Sequence, residues 1–483
     1  MPTSRNNVFP FALGLFCTAL HAQVPTTGTA SPNKVDTALA HADRLVAPLI
    51  DSGVAVGVAV GVLYDGKTGT RGYGLVRKGG SKKPDGSTLY EIGSITKVFT
   101  GILLADAVHR KLVQLSDPIQ KFVPKGTTVP QFKTKEIRLS HLTSHTSALP
   151  RMPVNFGGAD PNDPFAHYNR DMLYEGLGQI KLTRAPGKSY VYSNLAAGLL
   201  GQLLVDIQKA PDYQTLMRAR IGEPLGLRDT FIRLDKLRAA RFAPAYTNTG
   251  RAGRSWTFKS LAGAGAIRST VTDLLTFSAA ALGITKLDGD KAHLKEPFRL
   301  SKQPIYKAGL LSKLLNKAPK PATGCGWHIG PGKNLIWHNG ATSGYRAMML
   351  LDTQQKCAVI ALSNTTSEFI GQVTQQIYVA ATGRPVKPVT IRQSIDLPLA
   401  KLKSLVGRYQ LSPVLIFDVT LKDGVLGAQL TGQPEFTLLP ASETRFFYRV
   451  VKAEIEFTIG ADGKASKLML FQNGMELPAP RIQ

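Results

Sequence analysis

The stretch VAVGVAVGVLYDGKTGTRGYGLV (residues 54–76) predicts two strands around a DG turn, and from Gly326 the chain returns to strand rhythm. That return reads GWHI, a turn at PGKN, LIWH, a loop at NGATSG, YRAMMLLD, a turn at TQQK and CAVIALSN. VDTALAHADRLVAPLIDSG, just before the hairpin, carries apolar residues at helical spacing. Residues 112–285 mix short helical patterns with loops punctuated by Pro and Gly. A helix and hairpin at the start, with strands at the far end, imply one antiparallel sheet built from both ends. Helices flank it and a helical region is inserted between the two halves, which is an α+β pattern.

Beyond the Pro-spaced linker RPVKPVTIRQSIDLP, seven short strand patterns follow: LVGRYQL, LIFDVTL, VLGAQLT, FTLLP, TRFFYRVV, EIEFTI and KLMLFQ. DG at 423–424 and 462–463 and NG at 473–474 are hairpin signals, and a small closed barrel is the most economical arrangement. The segments read as residues 35–385 for the larger unit, 386–398 for the linker and 399–483 for the barrel. At the N-terminus, MPTSRNNVFPFALGLFCTALHAQ has Arg5, an apolar run and a small-residue site at Ala22. This is read as a signal peptide over 1–22, followed by a linker over 23–34, with a periplasmic or secreted product. Phe16 stands where lipidation of Cys17 wants a small residue. Cys325 and Cys357 are read as buried free thiols rather than a disulfide framework.

In YEIGSITKVFTG, residues 90–101, Ser94 and Lys97 would share a helix face. Ile95, Val98, Ile102 and Leu103 would bury that helix and hold the lysine pKa down. A neutral amine in reach of a hydroxyl can take its proton and turn a weak nucleophile into a good one. The spacing alone is common; its company carries the argument. Tyr192 and Asn194 precede an apolar helix in YVYSNLAAGLLG, and His338 and Gly340 end a strand in WHNGATSGYR. A tyrosine near a cation ionises more easily, an asparagine offers a donor and an acceptor, and a strand glycine lets a substrate lie along the edge.

Ser-x-x-Lys, Tyr-x-Asn and a basic-x-Gly strand in this order resemble the serine β-lactamase and penicillin-binding-protein superfamily, specifically its class C β-lactamase-like branch. IRLSHLTSHTSALPR, PGKSYVYSN, EPLGLRDTF, LAGAGAIRSTVTDLL and HNGATSGY extend the likeness over roughly residues 35–385. HTSALP with YSNLA points to periplasmic DD-carboxypeptidase/endopeptidases, and the C-terminal unit resembles a lipocalin-like barrel. The resemblance implies a β-lactamase/transpeptidase-like fold and acyl transfer without cofactor or metal. Ser94 would be the nucleophile, Lys97 and Tyr192 would move protons, and Asn194 would hold a substrate amide. The backbone N–H groups of Ser94 and Ala341 would bind the oxyanion. The substrates implied are peptidoglycan peptides or β-lactams; a carboxylesterase and a penicillin-binding sensor that does not turn over are the alternatives.

The pattern departs at His338-Asn339-Gly340, where many relatives have Lys-Thr-Gly. A histidine is largely neutral at pH 7, which weakens carboxylate recognition, and Arg346 is a candidate substitute anchor. A literal KTG at Lys67–Gly69 falls in the first hairpin, where no catalytic group is expected. His141 and His145 lack the Glu of H-E-x-x-H, and no G-x-S-x-G elbow or complete G-x-G-x-x-G occurs. The net charge of +26 comes with no nucleic-acid motif and no block of like charge. It would draw the protein to anionic envelope polymers and lipid head groups. Nothing in the sequence sets an oligomeric state.

Overall fold

The computed structural model describes residues 33–306 and 322–483, apart from 158, 159, 161, 162, 249, 432–434, 450, 452 and 473. The signal-peptide reading of residues 1–22, including Cys17, lies outside the described residues. Among those described, no helix is long and apolar enough to cross a membrane.

The hairpin forms as β1 (Gly57–Tyr64) and β2 (Lys67–Gly74), with Asp65 and Gly66 both at positive φ (46° and 80°) in the DG turn. β3 (Tyr90–Glu91) and β4 (Arg268–Ser269) make a separate small ladder. β5 (Ala322–Thr323), β6 (His328–Ile329), β7 (Leu335–Ala341), β8 (Arg346–Asp352) and β9 (Cys357–Ser363) complete the large sheet in the order β2-β1-β9-β8-β7-β6-β5. The closure from both chain ends is the antiparallel pairing of β1 with β9, running from Val58↔Ser363 to Tyr64↔Cys357.

Each face of this sheet has its own core. Val58, Val60 and Val62 pack with Val359 and Ala361 against the helices Lys34–Asp51 and Phe369–Ala381. Ala59 and Leu63 turn the other way, toward the inserted helices Thr96–His109, Asn194–Ile207 and Val271–Ala281. Strands buried on both faces lose alternation, which is why β1 and β9 read as continuous apolar runs. The helix Thr96–His109 is buried from Thr96 through Ala107, so it forms the spine of the insert rather than an amphipathic surface helix. Ile95, Val98, Ile102 and Leu103 are all fully buried, each worth about 1.5–3 kcal/mol. Cys325 and Cys357 are buried and unpaired.

The C-terminal unit has eight strands where the sequence suggested seven. They are β10 (Gly407–Ser412), β11 (Leu415–Lys422), β12 (Val425–Leu430), β13 (Phe436–Pro440), β14 (Arg445–Phe447), β15 (Ala453–Ile459), β16 (Ala465–Gln472) and β17 (Met475–Pro480). They form an antiparallel meander closed between its ends by Arg408 N–H to Gln483 O (2.9 Å) and Ile482 N–H to Arg408 O (2.8 Å). The missed strand contains Pro478 and Pro480, which read as strand breakers. Their register partners are Met469 and Lys467 on β16, while the seam to β10 is made by the residues after them. The barrel touches the larger unit through Arg251. Its guanidinium meets the Asp423 carboxylate at 3.0 Å and the Lys422 and Asp423 carbonyls at 3.1 Å on the β11–β12 turn.

Candidate active site

Ser94 sits in the 3-10 turn Gly93–Ile95 that leads into the helix Thr96–His109. One turn later, Lys97 points back at it with Nζ 2.9 Å from Ser94 Oγ. The same Nζ lies 3.0 Å from Asn194 Oδ1 and 2.6 Å from the Ala264 carbonyl. Lys97 is 2% exposed, and burial, reinforced by the Arg151 charge, holds its pKa well below the ordinary lysine range. A neutral amine has two N–H donors and one lone pair. Two of its three partners, the Asn194 and Ala264 oxygens, can only accept, so in the neutral form both N–H groups would go to them and the lone pair would face the Ser94 hydroxyl.

Tyr192 lies beside Ser94, and its ring centroid is 4.9 Å from Lys97 Nζ. The expectation of a readily ionised tyrosine is overturned here. Burial pushes the phenol up to about 12, against the opposing effects of Ser94 and Arg151. Tyr192 therefore rests as a proton donor. The helix Asn194–Ile207 begins beside it, capped by Ser193 Oγ, which accepts from Ala196 N at 2.9 Å.

On the other flank, β7 runs tight against the nucleophile turn. A Cβ on Gly340 would stand 1.9 Å from Ile92 O and 3.3 Å from Ser94 N. One on Gly93, whose φ is +50°, would stand 2.7 Å from Ala341 N. Both glycines are needed for this close approach of the Gly340–Ala341 backbone to the turn from Ile92 to Ser94. Gly340 is thus accounted for by packing against Ile92. The remaining strand features of the motif are the exposed Asn339 and Ala341.

His338 shares the face of Gly340 and is 1% exposed. Its Nδ1 donates to Asn339 O at 2.6 Å, leaving Nε2 as a buried acceptor with no protein partner. Burial and the neighbouring His328 keep it neutral, with its pKa well below the usual histidine value. Two further histidines join it. The His328 ring lies 4.6 Å from His338, with its pKa lowered by burial to about 4. His145, at a left-handed φ of 58°, stacks 4.4 Å from Tyr192, and its Nδ1 accepts the Ser193 N–H at 3.2 Å. Among the described residues no group of three His, Cys, Asp or Glu side chains is placed to hold a metal.

Arg346 does not join the site. It shares its strand face with Met348 and Leu350, which pack toward the terminal helices, whereas Ala347 and Met349 face the insert. It lies beside Glu368, whose carboxyl burial pushes up to about 7. The anchor expected of it has no support in this arrangement. Lys67 of the KTG sequence is the exposed first residue of β2.

Sequence reasoning weighed His145 only as a zinc partner of His141, and it missed His328, Arg151 and the Ala264 carbonyl. It also missed the buried Glu91, whose Oε1 accepts from Trp256 N (3.0 Å) and Arg268 Nη2 (3.2 Å) beside Thr342. HTSALPR was the available signal for two of these, since it holds both His145 and Arg151.

The family model for Beta-lactamase matches residues 42–381, which contain every residue above. The chain belongs to the beta-lactamase family. Among its relatives, the D-alanyl-D-alanine-carboxypeptidase/endopeptidase AmpH of Escherichia coli K12 is 33% identical over 213 residues. That match covers 44% of this chain and 53% of AmpH, so the chain spans about half the length of that relative. Penicillin-binding protein 4* of Bacillus subtilis is 25% identical over 433 residues, covering 82% of this chain and 88% of its own. The fold is shared with a beta-lactamase/D-alanine carboxypeptidase from Yersinia pestis, at a TM-score of 0.61 and 24% identity over 72% of this chain and 98% of that one. A second family model, a domain of unknown function (DUF3471), matches residues 392–479, from the linker through the barrel.

Proposed function

We propose that this beta-lactamase family member is an exported serine acyl hydrolase that works through an acyl-enzyme on Ser94. Its principal reaction is DD-peptidase cleavage of peptidoglycan peptides, with β-lactams as acylating substrates. The observation that carries the reading is the buried Lys97 amine 2.9 Å from Ser94 Oγ, whose other two partners are the acceptor oxygens of Asn194 and Ala264. In this scheme Lys97 accepts the Ser94 proton as Oγ attacks the carbonyl. The Ser94 and Ala341 N–H groups hold the oxyanion, and Tyr192 hands its proton to the departing amine. Water then reverses the steps to free the acid. Asn194 serves both Lys97 and the substrate's side-chain amide.

A second reading, carboxylesterase activity, is favoured by one feature. The neutral His338 stands where a cation would greet a substrate carboxylate, which suits uncharged esters.

The test is labelling with a fluorescent penicillin, followed by digestion of purified muropeptides. Ser94-dependent labelling with slow release and loss of terminal D-Ala or cross-links supports the peptidase. Rapid release with antibiotic destroyed identifies a β-lactamase. Absence of any Ser94 adduct, with p-nitrophenyl esters cleaved, transfers the assignment to the esterase. Ester cleavage that survives Ser94→Gly refutes the acyl-serine scheme altogether.

A further inference from the structure

Four basic side chains surround the Tyr192 ring: Lys97 Nζ at 4.9 Å, Arg151 at 5.2 Å, His145 at 4.4 Å and His338 at 6.4 Å from its centroid. Three of them are buried, and burial lowers the pKa of each. Arg151 differs. It is exposed, its guanidinium cannot shed its proton, and among the described residues its side chain has no hydrogen-bond or ion-pair partner. It also belongs to the Asn194 flank of the cleft. Its carbonyl accepts the Asn194 N–H at 2.9 Å, and the next residue, Met152, receives the Asn194 side-chain amide through Sδ at 3.5 Å.

We propose that Arg151 selects acyl donors that carry a carboxylate on the acyl side of the bond to be cleaved. The inference rests on the acyl-enzyme reading above, in which Asn194 holds the amide of the substrate's acyl half. The residue bonded to the Asn194 backbone then meets the next substituent outward. A guanidinium fork with idle donors, seated on an aromatic face, matches a carboxylate in bidentate geometry. The opposite flank offers no such partner, because His338 presents a neutral acceptor there. Charge recognition is thus moved from β7 to the loop after HTSALP.

Benzylpenicillin and carbenicillin supply the test, since they share one leaving half and differ by a carboxylate on the acyl side chain. The second-order rate of Ser94 acylation is measured for each by intact-protein mass spectrometry on the full chain. In Arg151→Gln the ratio of the carbenicillin rate to the benzylpenicillin rate is expected to fall about tenfold, the range of a hydrogen-bonded charge contact, since the loss of the Arg151 charge near Lys97 acts on both compounds alike. Arg151→Lys should restore part of the ratio, and 0.5 M salt should compress it in the wild type alone. Equal loss with both penicillins, or no change with either while the Ser94 adduct forms, overturns the assignment and leaves the acyl-enzyme intact. Failure of both compounds to acylate the wild type overturns both readings together.

Discussion

Replacing Lys97 by arginine keeps a cation and its donors but removes the ability to act as a base. The site geometry makes the consequence steep. A neutral Lys97 amine would spend its two N–H groups on Asn194 Oδ1 (3.0 Å) and Ala264 O (2.6 Å), so its lone pair would be the one function left for Ser94 Oγ at 2.9 Å. Guanidinium has no lone pair to offer and stays charged at every working pH. General-base assistance is worth about 10²–10⁴-fold, so Lys97→Arg should slow acylation about 10³-fold, or about 4 kcal/mol of barrier. Stopped-flow acylation by a fluorescent penicillin measures this directly. The pH profile supplies the sign. Because burial lowers the Lys97 pKa, acylation is expected to fall as pH drops through that lowered value and to be level above it, with no contribution from Tyr192 until pH approaches about 12. Stability should move the same way. Between the lowered folded value and the ordinary unfolded value near ~10.4, the unfolded chain binds one proton more, so unfolding free energy rises with pH. Against Lys97→Met, the wild type should gain about 1 kcal/mol per pH unit inside that window in urea titrations. A Lys97→Arg enzyme retaining more than about a tenth of the rate, or a wild-type acid limb in the ordinary lysine range, would refute the neutral-amine argument.

Gly340→Ala drives a Cβ into Ile92 O at 1.9 Å and should widen the gap between Ser94 N and Ala341 N. A loss of about 100-fold in acylation with about 1–3 kcal/mol of stability is expected by kinetics and thermal melting; a silent variant would mean the strand does not set the oxyanion gap. His145→Phe preserves the stack on Tyr192 but leaves the Ser193 N–H without its Nδ1 acceptor, for an expected destabilisation of about 1–3 kcal/mol by chemical denaturation. His338→Ala should reduce turnover while Lys67→Ala, on an exposed strand start, leaves it unchanged; the reverse result would overturn the choice of strand motif.

The parts of this molecule that sequence made legible are those whose spacing is local. Ser94 and Lys97 meet because three residues on a helix are one turn, and the run Ile95, Val98, Ile102, Leu103 announces the burial that keeps the amine neutral. The hairpin and the meander were legible for the same reason, with the DG turn at 65–66 fixing β1 against β2. Arg346 went astray because YRAMMLLD is apolar on both faces, so no alternation says which way its arginine turns. The histidine cluster joins residues 145, 328 and 338, from a loop and two strands that only the folded sheet and insert bring together.

Tyr192 shows how two correct local arguments give opposite answers until burial is known. A cation nearby favours the phenolate, and Arg151 does act in that direction; desolvation favours the phenol and is the larger effect. The same desolvation acts on Lys97, His145, His328 and His338, and on each of these it removes positive charge. Burial therefore favours the uncharged form throughout the cluster by acting in opposite directions on acids and bases. What results is an interior holding a proton acceptor at Lys97 and a proton donor at Tyr192 on either side of one serine hydroxyl, with the permanent charge of Arg151 kept outside at the solvent edge. Proton transfer in such a cleft moves a charge through a medium that was neutral beforehand, so the cost falls on the transition state unless preorganised donors meet it. The tight approach of β7 to the Ser94 turn is the structural feature that can supply those donors, which makes Gly340, rather than the identity of the basic residue before it, the part of the strand motif least open to replacement.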